Sequence, residues 1–260
     1  MKQKIQLFDV DGTLTKNEKD LPFHTVVYKT FAFWPLLSSL ISTYPIAFEE
    51  AARLWNESMK QTPDRQKDQS SRDMMERTIQ EFFPPYISAE YITKKAEEIT
   101  QNFLIHDIVH IDAINYINEC LTKGIICVLT TGSYLDGLQG LVNVLIAKGH
   151  LNASPNLLLN GVEIDWENKK LIRANVGAYK IENLYATLKE KNITDYVIQA
   201  AFGDDPYIND KGILEIVKSP HTAFVIKCKK NEHGGFHPSF IHCSWQEFIV
   251  QHKQRVLSWI

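Results

Sequence analysis

The segment Ile5-Gln6-Leu7-Phe8-Asp9-Val10-Asp11-Gly12-Thr13-Leu14-Thr15 constrains this chain more than any other. The apolar run from Ile5 to Val10 reads as a buried strand. It ends in two carboxylates, Asp9 and Asp11, followed by a glycine that lets the backbone turn. Acids at the end of a buried strand are costly unless they bind a cation or act on a substrate. The segment therefore reads as chemistry rather than packing.

Downstream, the chain alternates between helix and strand patterns. Asp112 to Lys123 reads as an amphipathic helix closed by Gly124, and Ile125 to Leu129 as a buried strand. A helix begins at Ser133 or Asp136 and ends near Gly149. Leu157 to Ile164 and Lys170 to Ala174 read as two strands, Ala178 to Lys191 as a helix and Tyr196 to Phe202 as a strand. A helix over Lys211 to Val217 and a strand over Thr222 to Ile226 follow, and Ser244-Trp245-Gln246-Glu247 has the form of a capping box opening a last helix. Such alternation predicts a parallel sheet with helices on both faces. Residues from about 20 to 107 read as helical instead, with Ser88 capping a helix from Ala89 to Leu104. This block reads as a second domain inserted after the first strand.

A formal net charge of −3, with no basic stripe, excludes a nucleic-acid footprint. Cys120, Cys127, Cys228 and Cys243 form no CxxC pair, so free thiols and a reducing, cytoplasmic setting are expected. Lys2 and Lys4 lead straight into a strand, which argues against a signal peptide. Residues 30–48 carry no charge, but Pro35 and Pro45 break the run and serines dilute it. A buried helical hairpin is the expectation there; a membrane or partner contact is the alternative. Cys228, His233, His237, His242 and Cys243 have zinc-ligand chemistry but match no structural zinc spacing well, and they read as a surface loop. Nothing in the sequence indicates an oligomeric state.

Open parallel sheets bind ligands beyond the carboxyl ends of their strands. After the first strand come Asp9 and Asp11, and after the second Thr130-Thr131-Gly132-Ser133. Gly203-Asp204-Asp205-Pro206-Tyr207-Ile208-Asn209-Asp210 follows the Tyr196 to Phe202 strand, and Lys180 lies near the start of its helix. Together they suit phosphomonoester hydrolysis. Carboxylates form an all-oxygen site for Mg²⁺. One carboxylate can attack phosphorus, and a second can protonate the leaving oxygen and then activate water. A hydroxyl and an ammonium can hold the phosphoryl oxygens.

The motifs FDVDGTLT (Phe8 to Thr15), VLTTGS (Val128 to Ser133), Lys180 in GAYKIENL, and GDDPYIND (Gly203 to Asp210) resemble those of the haloacid dehalogenase superfamily. Within it the chain is most similar to the phosphoserine-phosphatase-like branch. The order of the motifs matches over nearly the whole chain. The resemblance implies an α/β fold: a Rossmann-like doubly wound parallel sheet formed by residues 1–18 and 108–260, with a helical cap at 19–107. It implies a Mg²⁺-dependent phosphatase acting on a small phosphorylated metabolite. Asp9 would be nucleophile and metal ligand. Asp11 would be general acid/base, with its carbonyl on the metal. Thr131, or Thr130 by a one-residue shift, would bind the phosphoryl group with Gly12 and Gly132, and Lys180 would neutralise charge. Asp204 would ligate Mg²⁺, with Asp210 behind it. The acids of this last motif usually stand closer than Asp204 and Asp210 do, so either the loop carries an insertion or Asp205 takes the ligand role. Asn209 is an alternative distal contact. Phosphotransfer through the same intermediate is an alternative function, as is a binding or scaffold role for the apolar segment. Dehalogenation is disfavoured because it does not need Asp11.

Overall fold

A computed structural model of the chain describes residues 2–16, 69, 72–73, 75–76, 79–80, 86–101, 105–207, 209–217, 222–226 and 238–258. The cap expected at 19–107 lies largely outside these residues. The uncharged run 30–48 and the zinc candidates Cys228, His233 and His237 lie wholly outside them. Among the described residues, no helix is long and apolar enough to cross a membrane.

Strand β1 (Gln3–Asp9) runs through the middle of a seven-stranded sheet. Its neighbours are β2 (Ile126–Tyr134) and β5 (Tyr196–Gly203), both parallel to it. Beyond β2 lie β3 (Leu157–Asp165) and β4 (Lys170–Arg173). Beyond β5 lie β6 (Ala223–Ile226) and β7 (Ile241–Cys243). The order is β4-β3-β2-β1-β5-β6-β7. Every pair is parallel except the β3–β4 hairpin, which turns through the polar residues Glu167 to Lys169.

Both faces of β1 are covered, which is why its sequence is apolar almost throughout rather than alternating. Ile5 and Leu7 face one hydrophobic cluster, with Leu184 and Leu188 of α5 (Tyr179–Glu190) and Ile213 and Leu214 of α6 (Lys211–Glu215). Phe8 faces the other, with α3 (Ile111–Thr122), α4 (Leu135–Ala147) and α7 (Trp245–Gln251). In that layer Phe202 stacks on Phe8 at 4.9 Å, on Phe224 at 5.1 Å and on Trp245 at 5.0 Å between ring centroids. Such large apolar contacts contribute the main share of sheet stability. The one polar residue in the strand interior, Gln6, is fully buried yet satisfied. It donates to Gln199 Oε1 at 3.0 Å and accepts from the Tyr116 hydroxyl at 2.8 Å.

Before the α/β alternation come α1 (Ala89–Gln101) and α2 (Ile105–Ile108). Ser88 Oγ accepts the Tyr91 amide at 3.1 Å, so the predicted cap is present. The described positions between 69 and 80 are helical, and Met75 and Ile79 pack with Ile164 and Leu171 of the β3–β4 hairpin. At the other end, Ser244 forms the predicted capping box with Glu247, and α8 (Lys253–Ser258) follows α7.

Three expectations are corrected. Strand β2 does not stop at Leu129 but continues through Thr130, Thr131 and Ser133 to Tyr134. The following helix starts at Leu135, with no side-chain cap from Ser133, whose hydroxyl points to Asp11 instead. Residues 241–243, read as part of a surface loop, form β7 beside β6, where Phe224 to Ile226 supply paired backbone partners.

Candidate active site

In the sheet register Asp9 pairs with Thr130 and Phe8 with both Leu129 and Phe202. The carboxyl ends of β1, β2 and β5 therefore lie level with one another, and the motifs that follow them converge. After Asp9 the backbone makes a wide helical turn over Val10–Leu14, in which Gly12 takes φ +88°. That left-handed conformation favours glycine. The turn is closed by the Thr15 amide donating to Val10 O at 2.9 Å. Trp245 Nε1 fastens it to α7 by donating to Thr13 O at 2.8 Å.

Asp9, Asp204 and Asp210 are all buried, and one carboxylate oxygen from each lies within 4.8 Å of the others. Lys180 Nζ donates to Asp9 Oδ1 and to Asp210 Oδ1, both at 2.7 Å, and the lysine itself is only 2 % exposed. Burial opposes the Lys180 charge, but Asp210 and Asp9 more than offset it and hold the ammonium above its ordinary value. Burial raises the Asp9 carboxyl well above its ordinary value, and the Asp210 charge adds to this despite Lys180. One ammonium among three carboxylates leaves excess negative charge in a nearly dry pocket. Such a set of hard oxygen donors fits a divalent cation such as Mg²⁺.

Asp210 also organises its own loop. Its Oδ2 accepts the amides of Asp204 at 2.9 Å and Asp205 at 3.0 Å. Gly203 makes room for this: a methyl group there would meet Asp210 Cβ at 2.7 Å. The Asp205 carboxylate accepts the amides of Tyr207 and Asn209, both at 3.3 Å. The geometry thus groups Asp204, not Asp205, with Asp9 and Asp210. Five residues between Asp204 and Asp210 are accommodated because the Asp210 amide donates back to Asp205 O at 2.9 Å, folding the loop on itself.

Asp11 faces a different set of partners. The Thr131 hydroxyl donates to Asp11 Oδ2, and Ser133 Oγ lies 3.3 Å from the same oxygen. Thr131 Oγ1 in turn accepts the Ser133 amide at 3.0 Å. Burial raises the Asp11 carboxyl, against the lowering effect of Thr131, Lys180 and Ser133. Thr130 Oγ1 accepts from Asn175 Nδ2 at 3.1 Å, away from the carboxylates. Of the two threonines, Thr131 is the one beside Asp11. Gly132 lies between Thr131 and Ser133, where a methyl group would touch Val176 Cγ1 at 3.4 Å.

Sequence reasoning did not single out Ser133, Asn160, Asn175 or Asn183. Ser133 was within reach, since it closes the same TTGS motif. The three asparagines are scattered and carry no local signature.

The chain matches no family model and no curated protein. Its fold is similar to solved structures. A protein of unknown function from Bordetella pertussis Tohama I superimposes with TM-score 0.53 at 14% identity, over 94% of this chain and 100% of that one. A HAD family hydrolase from Salmonella enterica serovar Typhi gives 0.52 at 15%, over 96% and 72%. A phosphoserine phosphohydrolase-like protein from Francisella tularensis gives 0.51 at 17%, over 89% and 90%. At these identities the likeness is one of fold.

Proposed function

We propose that this protein, which has the fold of the haloacid dehalogenase hydrolases, is a Mg²⁺-dependent phosphatase of small phosphomonoesters. The observation that carries the reading is the meeting of Asp9, Asp204, Asp210 and Lys180 with Asp11 and Thr131 at the ends of β1, β2 and β5. Solved structures of the same fold include a HAD family hydrolase and a phosphoserine phosphohydrolase-like protein, which supports the same class.

Asp9, Asp204 and Asp210, with the Asp11 carbonyl, would hold Mg²⁺. When bound, the ion neutralises the acids and the phosphoryl oxygens. A carboxylate oxygen of Asp9 attacks phosphorus, and the P–O bond to the leaving alcohol breaks. Asp11, raised by burial and so able to carry a proton, donates it to the departing oxygen. The aspartyl-phosphate on Asp9 is then hydrolysed. Asp11, now ionised, takes a proton from water, whose oxygen bonds to phosphorus as the acyl-phosphate P–O bond breaks. Thr131 and the backbone around Gly12 and Gly132 hold the phosphoryl oxygens, and Lys180 balances the Asp9 charge as it is consumed and regenerated. Binding a phosphoryl group requires the Thr131 hydroxyl to exchange Asp11 for the substrate.

The test is phosphate release from a panel of small phosphomonoesters with and without Mg²⁺. Wild type should release phosphate only with the ion, and Asp9→Asn should be inactive. Full Mg²⁺-dependent activity in Asp9→Asn would sink the mechanism.

A further inference from the structure

Asn175 is completely buried in the turn just before α5, the helix that carries Lys180. Its Nδ2 reaches Thr131 O at 2.6 Å, Thr130 Oγ1 at 3.1 Å and Asn160 O at 3.3 Å. Two of these are backbone carbonyls, which only accept, so the amide nitrogen must face them. Its Oδ1 accepts from Asn183 Nδ2 at 3.1 Å. Asn183 lies one turn after Lys180 on α5 and also donates to Ala174 O, fixing the backbone on the other side of Asn175. Asn160 Nδ2 reaches Lys180 O at 3.5 Å. A continuous polar chain therefore runs from the Lys180 helix through Asn183 and Asn175 to the carbonyl of Thr131. From there one residue's own bonds lead to its hydroxyl and to Asp11.

We propose that Asn175 is a positioning residue for the phosphatase reaction: by tying the Thr131 carbonyl to the base of the Lys180 helix, it sets where the Thr131 hydroxyl stands beside Asp11. This rests on the phosphatase reading above. Stability alone does not demand an asparagine here. A β2 end of this kind could satisfy the Thr131 carbonyl with water or a neighbouring strand, whereas this chain commits to it the buried amide of Asn175, itself held by Asn183. A buried network in which every member is satisfied rigidifies the groups it holds. Hydroxyls that must meet a transferring group need positions held to about 0.5 Å.

The experiment compares wild type, Asn175→Ala, Asn183→Ala, Thr131→Val and the Asn175→Ala/Thr131→Val pair. Steady-state kinetics on the best phosphomonoester are measured alongside direct calorimetric titration with Mg²⁺ alone. Asn175→Ala should lower kcat by about tenfold or more while KM changes by less than about threefold, the signature of a contact used in the transition state. Its Mg²⁺ affinity should stay within about twofold of wild type, because Asp9, Asp204 and Asp210 do not bond to Asn175. In the Thr131→Val background, Asn175→Ala should cost little more than about twofold, since the hydroxyl it positions is gone. Asn183→Ala should follow Asn175→Ala in direction and to a smaller extent, and it carries the test if Asn175→Ala does not fold. An unchanged kcat, a parallel loss of Mg²⁺ affinity, or full additivity with Thr131→Val would each overturn the proposal. A wild type without phosphatase activity overturns the underlying reading, and the proposal with it. An active wild type with an unaffected Asn175→Ala overturns the network alone.

Discussion

Lys180 places its Nζ 2.7 Å from two buried carboxylates and is itself almost inaccessible, so its removal strands charge in the interior. Lys180→Met should destabilise the metal-free protein by about 3–5 kcal/mol, read as a shift in the urea midpoint. Asp9→Asn should do the opposite. It removes one of the crowded acids, so its metal-free melting temperature should equal or exceed that of wild type even though activity is lost. A loss of stability in Asp9→Asn would mean that the Lys180–Asp9 pair outweighs the repulsion from Asp204 and Asp210. At this scale much was legible in the sequence. Asp9, Asp11 and Asp210 stand out because chemistry at strand ends has a local signature, whereas Lys180, on a helix, stands out only through its place among the family motifs. The choice between Thr130 and Thr131 needed coordinates, because it depends on which way β2 turns its side chains as it runs on past Leu129. The choice between Asp204 and Asp205 depends on how the loop folds around the Asp210 carboxylate, and spacing alone does not encode that. Asn175 is legible only through contacts with residues distant in the chain.

Helix α1 crosses α4 closely enough that a methyl group on Gly140 would meet Thr93 O at 2.5 Å and Ala96 Cβ at 2.6 Å. The obstructing atoms are backbone and a packed alanine, so neither can swing aside. Gly140→Ala should therefore push α1 off α4 and cost about 1–3 kcal/mol despite alanine's better helix propensity. A stabilised Gly140→Ala, measured by thermal melting, would show that the two helices are not packed this closely. Elements with strong periodicity or capping chemistry were legible, including β1, α3, α5 and the Ser244 capping box. Strand β7 was not. Its three residues, Ile241, His242 and Cys243, look like loop and pair only because β6 offers an open edge. The extension of β2 was hidden for a related reason. The polar TTGS stretch reads as lying past the strand's end and leading into a helix, yet it stays extended because β1 and β3 flank its start and Asn175 holds it from one side.

For the whole molecule, the acidic cluster should link stability to pH and, through the proposed Mg²⁺ site, to metal. The folded Asp9 and Asp11 carboxyls are both raised above the ordinary value of 3.8. The folded state therefore binds more protons than the unfolded state above that value. Stability from these groups is present at low pH and is lost as pH rises through the folded values. Metal-free protein should melt at a lower temperature near about pH 8 than near about pH 4 on this account, and Asp9→Asn should flatten the slope. Mg²⁺ should raise the melting temperature more at the higher pH, contributing about 2.7 kcal/mol at a hundredfold excess over its Kd. Equal Mg²⁺ shifts at both pH values would argue against the buried acids as the site.

The central claim is that Asp9 becomes covalently phosphorylated. It is tested most directly by acid-quenching the enzyme during turnover with Mg²⁺ and a phosphomonoester, then mapping peptides by mass spectrometry. The account predicts one added phosphoryl group on the peptide containing Asp9, labile to hydroxylamine and absent from Asp9→Asn. An active enzyme that never carries that group, or carries it on another residue, would contradict it.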